Sequence, residues 1–349
     1  MAPPRGDRRR RRAVLASCGA VAVALSWPAT AEASAPRTVC TVQDERLAEL
    51  SGLASNGQEL FAVNDGGTQV EVFVLDRNCR VQRTITAGID PYDVEDLALA
   101  PDGVLWLSDT GDNGKSRDTV AVIKVRQDGS ASLHRMTYPD GQHDTEAIVL
   151  DRRGVPHLIT KNVLGTSEIY RPTGKLRSPG PTPLEKVGTV GFGVSNTPGG
   201  PEEVGVVGSI LVTGGAVSHD GKVVALRTYT DAYLYPAPDG DVVAALGREP
   251  VRIPLPNEPQ GEAIAFDPDG TLLSASEGVG EPIRAVPKAV EKVASVTPGD
   301  AGKAASDARD GRTEHTDEQQ RSKLPALAVA AIAVAVLWFG LGRLRRRRR

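Results

Sequence analysis

The chain lacks the short motifs that would name a common enzyme chemistry. It has no G-x-S-x-G elbow, no H-E-x-x-H and no P-loop, so nothing in it points to a nucleophile-elbow hydrolase, a zincin or a phosphate-cradling loop. Cysteine is scarce: three occur in 349 residues. One, Cys18, falls in an apolar leader, which leaves Cys40 and Cys79 as an even pair. In an oxidising compartment such a pair is expected to bridge. Helical periodicity is missing between residues 38 and 290, whereas valine, isoleucine and threonine are frequent there, and this reads as all-β. A basic surplus is missing as well. The formal charge is −3, but setting aside the arginine clusters at the two ends leaves 29 basic and 43 acidic residues between 32 and 342, a net of −14. Such a surface repels nucleic acid, and divalent cations or basic partners suit it better.

What is present is a repeat. "VEDLALAPDGVLWLSDTGDN" (94–113), "TEAIVLDRRGVPHLITKN" (145–162) and "GEAIAFDPDGTLLSASEG" (261–278) share a glutamate, a short apolar strand, a glycine turn, a second strand and a polar end. Two further copies carry Thr213 and Ser51 in the glutamate slot; apolar phase selects Ser51, although counting back from Gly57 would choose Glu49. The anchors Ser51, Glu95, Glu146, Thr213 and Glu262 are 44, 51, 67 and 49 residues apart. Several short strands per period of about 40–50 residues mark a propeller array. Within the second copy, "EDLALAP", "VLWLSD", "TVAVIKVRQ" and "ASLHRMTYP" read as one four-stranded meander. The fold class is therefore all-β, a β-propeller of five four-stranded blades, or six if degenerate strands are hidden. The long interval holds one blade plus a Gly/Pro-rich insert, "GVSNTPGGPEEVGVVG".

The ends suggest export and anchoring. Residues 1–33 carry arginines, an apolar run and small residues in the order of a secretory signal peptide; "RRAVL" also resembles a twin-arginine signature. Residues 38–288 are assigned to the propeller, 289–323 to a disordered polar stalk, 324–342 to a transmembrane helix and 343–349 to a cytoplasmic arginine tail. The localisation expected is the cell membrane, single-pass, with the propeller outside.

In a propeller the first strand of each blade lines the channel, so the slot residues converge on one axis. Ends of the second strands form a neighbouring ring, with Asn64, Asp65, Asp109, Asp112, Lys161, Asn162, Arg227 and Glu277. Glu95, Glu146 and Glu262 are the candidate catalytic carboxylates. Crowded carboxylates invite a hard cation, and Glu95, Asp96, Asp109 and Asp112 are the candidate Ca²⁺ ligands. "DTGDNG" supplies oxygen donors without matching the EF-hand order. Lys161 and Arg227, with Tyr229, are candidates to hold an anionic group of a ligand. "SHD" at 218–220 precedes a turn glycine and reads as a turn rather than a triad; His143 reads as a loop histidine.

With "ELSGLA", "VNDGG", "VEDLALAPDGVLWLSDTGDN", "YPDGQHDTEAIVLD", "LRTYTDAYLY" and "GEAIAFDPDG" in hand, residues 45 to 287 resemble the phytase-like β-propeller family described as having esterase-like activity. The resemblance implies an extracytoplasmic propeller hydrolysing phosphate or carboxylic esters with Ca²⁺ help. Phytases of this fold gather several lysines and arginines at a multi-calcium site, and here only Lys161 and Arg227 stand on the ring. Two functions follow as expectations: a Ca²⁺-assisted hydrolase for a small anionic ester, or a non-catalytic propeller that binds a cell-envelope ligand or protein.

Overall fold

A computed structural model describes residues 35–295 of the chain. The predicted signal peptide, transmembrane helix and arginine tail lie outside the described residues, among which no helix is long and apolar enough to cross a membrane.

Strand β1 (Arg37–Thr41) is followed by four meanders. They are β2–β5 (Leu50–Ser55, Leu60–Asn64, Val70–Leu75, Val81–Ala87), β6–β9 (Val94–Leu99, Leu105–Asp109, Val120–Val125, Ala131–Thr137), β10–β13 (Thr145–Leu150, Pro156–Thr160, Thr166–Pro172, Thr182–Gly191) and β14–β17 (Val212–Val217, Val223–Thr228, Asp231–Pro236, Val251–Pro254). Three more strands, β18–β20 (Gly261–Phe266, Leu272–Ser276, Pro282–Val286), complete a fifth meander by pairing β20 antiparallel with β1. A short parallel contact between β13 and β9 joins the second and third meanders into one sheet. Turns such as Pro101-Asp102-Gly103 and Pro268-Asp269-Gly270 close the hairpins, with Gly103 and Gly270 at positive φ, a conformation glycine adopts without a Cβ penalty.

First strands pack against one another in a cycle, β2 on β6, β6 on β10, β10 on β14, β14 on β18 and β18 on β2. The core is correspondingly divided. One apolar layer lies between each neighbouring pair of meanders, for instance Phe61, Val72 and Ile85 against Leu97, Leu107 and Ile123 between the first and second, and Leu53, Phe73 and Leu75 against Ala263, Leu273 and Ile283 between the first and fifth. Alternation along each strand supplies both layers at once, because successive side chains point to opposite faces. The protein is nearly all-β, and the arrangement is that of a β-propeller.

Closure of the cycle is stapled covalently. Cys40 on β1 belongs to the fifth meander and Cys79 sits in the β4–β5 turn of the first; they form a disulfide with a Cα–Cα distance of 5.6 Å and a sequence separation of 39. Cross-linking a loop of this length removes chain entropy from the unfolded state worth about 4 kcal/mol. Cys40→Ser with Cys79→Ser is expected to lower the unfolding free energy by about that amount, and reductant to do the same to the parent. Denaturant unfolding with and without reductant checks this; equal midpoints would show the seam is held by packing alone.

Two short helices depart from the sequence expectations. α1 (Val242–Leu246) is capped by Asp241, whose side chain accepts from the Ala244 amide, and buries Val242, Ala245 and Leu246 on the fourth meander. The stalk was expected to start at residue 289, yet Ala289–Ser295 forms α2. Ala289 and Val293, four residues apart on one helical face, close the layer between the fourth and fifth meanders. Apolar spacing over seven residues is too short to announce a helix.

Candidate functional site

Each first strand carries a β-bulge near its start, and the extra residue is the slot residue of the repeat. Register shifts fall between Leu50 and Gly52, Val94 and Asp96, Thr145 and Ala147, Val212 and Gly214, and Gly261 and Ala263. Ser51, Glu95, Glu146, Thr213 and Glu262 are thus the unpaired residues. A bulge frees one residue from the ladder and re-aims its side chain, which is why bulges recur beside active sites. The two hydroxyl residues turn theirs to the next meander: Ser51 Oγ donates to the Glu95 carbonyl at 2.6 Å and Thr213 Oγ1 to the Gly261 carbonyl at 2.8 Å. Glu95, Glu146 and Glu262 are left to supply carboxylates to the mouth.

These glutamates are buried and act on one another electrostatically. Burial first, then Glu146, Asp93, Asp65 and Asp144, push the Glu95 carboxyl well above the ordinary glutamate range. Its Oε1 has no hydrogen-bond partner, although Glu95 is only 2% exposed. Burial also pushes Glu146 up, with Lys161 pulling the other way. The Lys161 ammonium lies 3.1 Å from Glu146 Oε1. Burial works against that ammonium, yet Glu146, Tyr229, Glu262 and Asp144 hold it well above the ordinary lysine range. The ion pair favours the charged form of Glu146, whereas burial and each of the neighbouring charges that act on Glu95 disfavour it there. Lys161 Nζ also sits 5.1 Å from the centre of the Tyr229 ring, and burial pushes the Tyr229 hydroxyl up, so that it remains a donor. Glu262 Oε1 accepts from Gln260 Nε2 at 3.2 Å.

The insert roofs this side of the mouth. Tyr229 N donates to the Gly208 carbonyl at 3.2 Å and Gly200 N to the Glu258 carbonyl at 2.8 Å. Ser195 and Thr197 donate to Asp231, which is buried and also pairs with Arg252. Gly200 and Gly208 each lie against the Tyr229 side chain.

Other expected site residues are engaged elsewhere. Asp96 follows Glu95 but points across the channel, where its carboxylate accepts from the amides of Leu97 (2.8 Å), Ile148 (2.9 Å) and Gly215 (3.0 Å). It ties three first strands together below the glutamates. Asp109 accepts from the Tyr92 and Asp93 amides and from Arg117 at 3.0 Å. Asp112 caps the following turn, accepting from the Ser116 and Arg117 amides. Arg227, expected to bind an anion, is fully buried. It pairs with Glu258 at 2.8 Å and donates to the carbonyls of Ala263, Ala275, Thr228 and Tyr229. His143 bonds Asp140 and Tyr170 on the loop before the third meander, and Ser218 and Asp220 cap a turn.

The proposed calcium ligands do not fit the ion. Three of the four carboxylates are taken by backbone amides and an arginine, and among the described residues no group of three or more His, Cys, Asp or Glu side chains is arranged to hold a metal. Hard cations of this kind take six to eight oxygens, and the set does not converge.

Sequence reasoning missed Glu258, Arg117, Asp93 and Asp144. A signal existed for the last two. "DVE", "DTE" and "QGE" place Asp93, Asp144 and Gln260 two residues before each slot glutamate, and each of the three acts on the ring by charge or hydrogen bond.

No family model matches the chain, and no curated protein matches it. Among solved structures, it is similar to a gluconolactonase from Xanthomonas campestris, with 14% identity over 74% of this chain and 86% of that one at a TM-score of 0.39. It is similar to an aldose sugar dehydrogenase from Streptomyces coelicolor, with 12% identity over 72% and 96% at 0.39. Virginiamycin B lyase from Staphylococcus aureus gives 14% identity over 71% and 69% at 0.35. The fold is a propeller; the phytase-like resemblance finds no family match beyond it.

Proposed function

We propose that the chain is a membrane-anchored, extracytoplasmic five-bladed propeller whose upper mouth hydrolyses small uncharged carboxylic esters or lactones by general acid–base catalysis. One observation carries this reading: a buried Glu95 carboxyl with an unpartnered Oε1, its charged form disfavoured by burial and by neighbouring carboxylates, beside the Glu146–Lys161 ion pair. Two carboxyl groups whose surroundings separate their proton affinities are the arrangement acid–base chemistry requires.

Glu146, ionised against Lys161, takes a proton from a water molecule as the water oxygen bonds to the ester carbonyl carbon. Lys161 and the Tyr229 hydroxyl stand where charge develops on the carbonyl oxygen. As the carbon–alkoxy bond breaks, Glu95 protonates the departing oxygen, giving acid and alcohol. Glu95 is then re-protonated and Glu146 deprotonated by solvent.

An anionic ester suits the mouth poorly. Lys161 is already paired with Glu146, Arg227 is committed to Glu258 and Arg117 to Asp109, and Asp65, Asp93, Asp144 and Glu262 add negative charge. A second groove of about 670 Å³ beside the mouth is lined by Glu49, Glu202, Glu203 and Glu277 and by no lysine or arginine. Carboxylic esters are therefore favoured over phosphate esters.

Purified protein incubated with 4-nitrophenyl butyrate, a δ-lactone and 4-nitrophenyl phosphate, each with EDTA or with Ca²⁺, tests the proposal. Turnover of the uncharged substrates in EDTA, with none of the phosphate, is the expected outcome. Turnover that appears only with Ca²⁺ would overturn the metal-free route. No turnover at all would favour the binding propeller. That second reading draws support from the upper loops, where Tyr92, Leu164, Val194, Val206 and Val279 are exposed.

A further inference from the structure

The axial channel has a second compartment below Asp96. It is a cavity of about 630 Å³, opening at the end where the first and second strands of each meander are joined. This is within the volume range of small-molecule sites, which are mostly apolar with a few placed polar groups. Its walls come from all five first strands and are apolar, with Leu53, Leu97, Ile148, Ala216 and Phe266 among them.

The polar groups at its opening are mostly spent. Asp151 accepts from the Arg153 and Val155 amides and pairs with Arg153 at 3.0 Å. Asp220 accepts from Ser218 and the Lys222 amide and stands 4.0 Å from the Lys222 ammonium. Each carboxylate thus has its own cation and its own turn. Arg152 differs. Among the described residues it forms no ion pair, and its hydrogen bond is one from Nη2 to the Asp220 carbonyl at 3.1 Å. Its side chain is seated over two glycines at positive φ, Gly221 and Gly240, where a Cβ would come within 2.7 Å and 2.5 Å of it. Two neighbouring turns have kept these positions bare beneath one arginine. A guanidinium offers five N–H donors, and most of these remain for a ligand. Opposite, His219 Nε2 bonds the Ser55 carbonyl at 3.0 Å, bridging turns of the fourth and first meanders.

We propose that this lower compartment is a ligand site, separate from the glutamate mouth, for a small amphiphile with an apolar body and one carboxylate head. The body fills the channel between the first strands, and the head takes a charge-assisted bond from Arg152, the one cation lining the opening. Apolar burial supplies affinity and Arg152 supplies discrimination.

Calorimetric titration of the full-length chain with decanoate, decanol and decylamine tests this, all below their aggregation concentrations. Decanoate is expected to bind saturably at one site, decanol about tenfold more weakly and decylamine not measurably. Arg152→Gln, a change at an exposed side chain, should bring decanoate down to the decanol level and leave decanol unchanged. Ala216→Leu, which narrows the channel, should weaken both; should that variant fail to fold, Arg152→Gln and the head-group series still decide. Equal heats from all three compounds, indifference of decanoate to Arg152→Gln, or no saturable binding would each overturn the proposal. Glu95→Gln should leave decanoate binding unchanged, and its loss in that variant would show that the ligand occupies the upper mouth instead.

Discussion

Glu95→Gln is expected to lower the turnover of an uncharged ester by roughly 10²–10⁴-fold while the melting temperature stays near that of the parent. The amide is nearly isosteric and removes only the transferable proton. Because burial and four neighbouring carboxylates disfavour the charged form of Glu95, the neutral amide also relieves repulsion, and stability has no reason to fall. The pH profile provides an independent readout. Glu95 works as an acid, so activity is lost as pH rises through its elevated pKa and the proton leaves; Glu146 works as a base, so activity is lost as pH falls and the ion pair with Lys161 is protonated. Glu95→Gln should abolish the descending alkaline limb together with the rate. Gly111 offers a second approach to the same group, because a Cβ there would collide with Glu95 Oε1 and come within 2.7 Å of Asp93 Cγ. Gly111→Ala should displace the carboxyl and reduce turnover with Glu95 still present. A normal rate in Glu95→Gln would show that the proton donor lies elsewhere.

The largest loss of stability should come from Arg227→Met. Arg227 and Glu258 are 0% and 1% exposed at the side chain and 2.8 Å apart. Truncating one partner of such a pair leaves a buried charge uncompensated, which costs about 3–5 kcal/mol. For a protein of this size that is roughly 6–20 °C in melting temperature. Glu258 would retain only Ser274 at 2.7 Å and the more distant Arg284 at 4.0 Å. The carbonyls of Ala263 and Ala275 would lose their donor, and with it a tie between the fourth and fifth meanders. Arg227→Met with Glu258→Leu should recover much of the loss, since replacing a whole buried pair by apolar groups of similar size is often neutral or better. Thermal melts of the two single variants and the double variant check this. Equal stability of Arg227→Met and the parent would mean that the arginine is not a structural clamp, and its expected role as an anion binder would return.

Arg227 and Lys161 both lie near the ends of second strands but two residues out of step. Arg227 pairs with Gly214 inside β15 as Ile159 pairs with Ala147 in β11, whereas Lys161 follows β11 as Tyr229 follows β15. The difference between them shows where sequence reasoning stops. Spacing places both at the mouth. It does not record that Gly261 leaves room for the Arg227 guanidinium to turn inward, where a Cβ would collide with Nη2, or that Glu258 waits beneath it. Glu258 lies outside the repeat frame, in the connection before the fifth meander, and has no counterpart to compare. Asp96 is a similar case. Its neighbour Glu95 is the bulge residue, and strand alternation sends Asp96 to a different face. Three amides that converge from β6, β10 and β14 then claim its carboxylate. None of those amides is recorded in the order of residues.

The order of residues by itself determined the all-β class, the recurrent meander, the five slot positions and the Cys40–Cys79 pair. Each is legible because it rests on local alternation, turn glycines or counting, and these survive in one dimension. Tertiary structure alone decided which carboxylates stay open and which are consumed. Glu95 keeps an unpartnered oxygen, whereas Asp96, Asp109 and Asp112 give theirs to amides and an arginine. The physical reason is that a hydrogen bond depends on distances of about 3 Å between groups tens of residues apart. Those distances exist only once the chain has closed on itself.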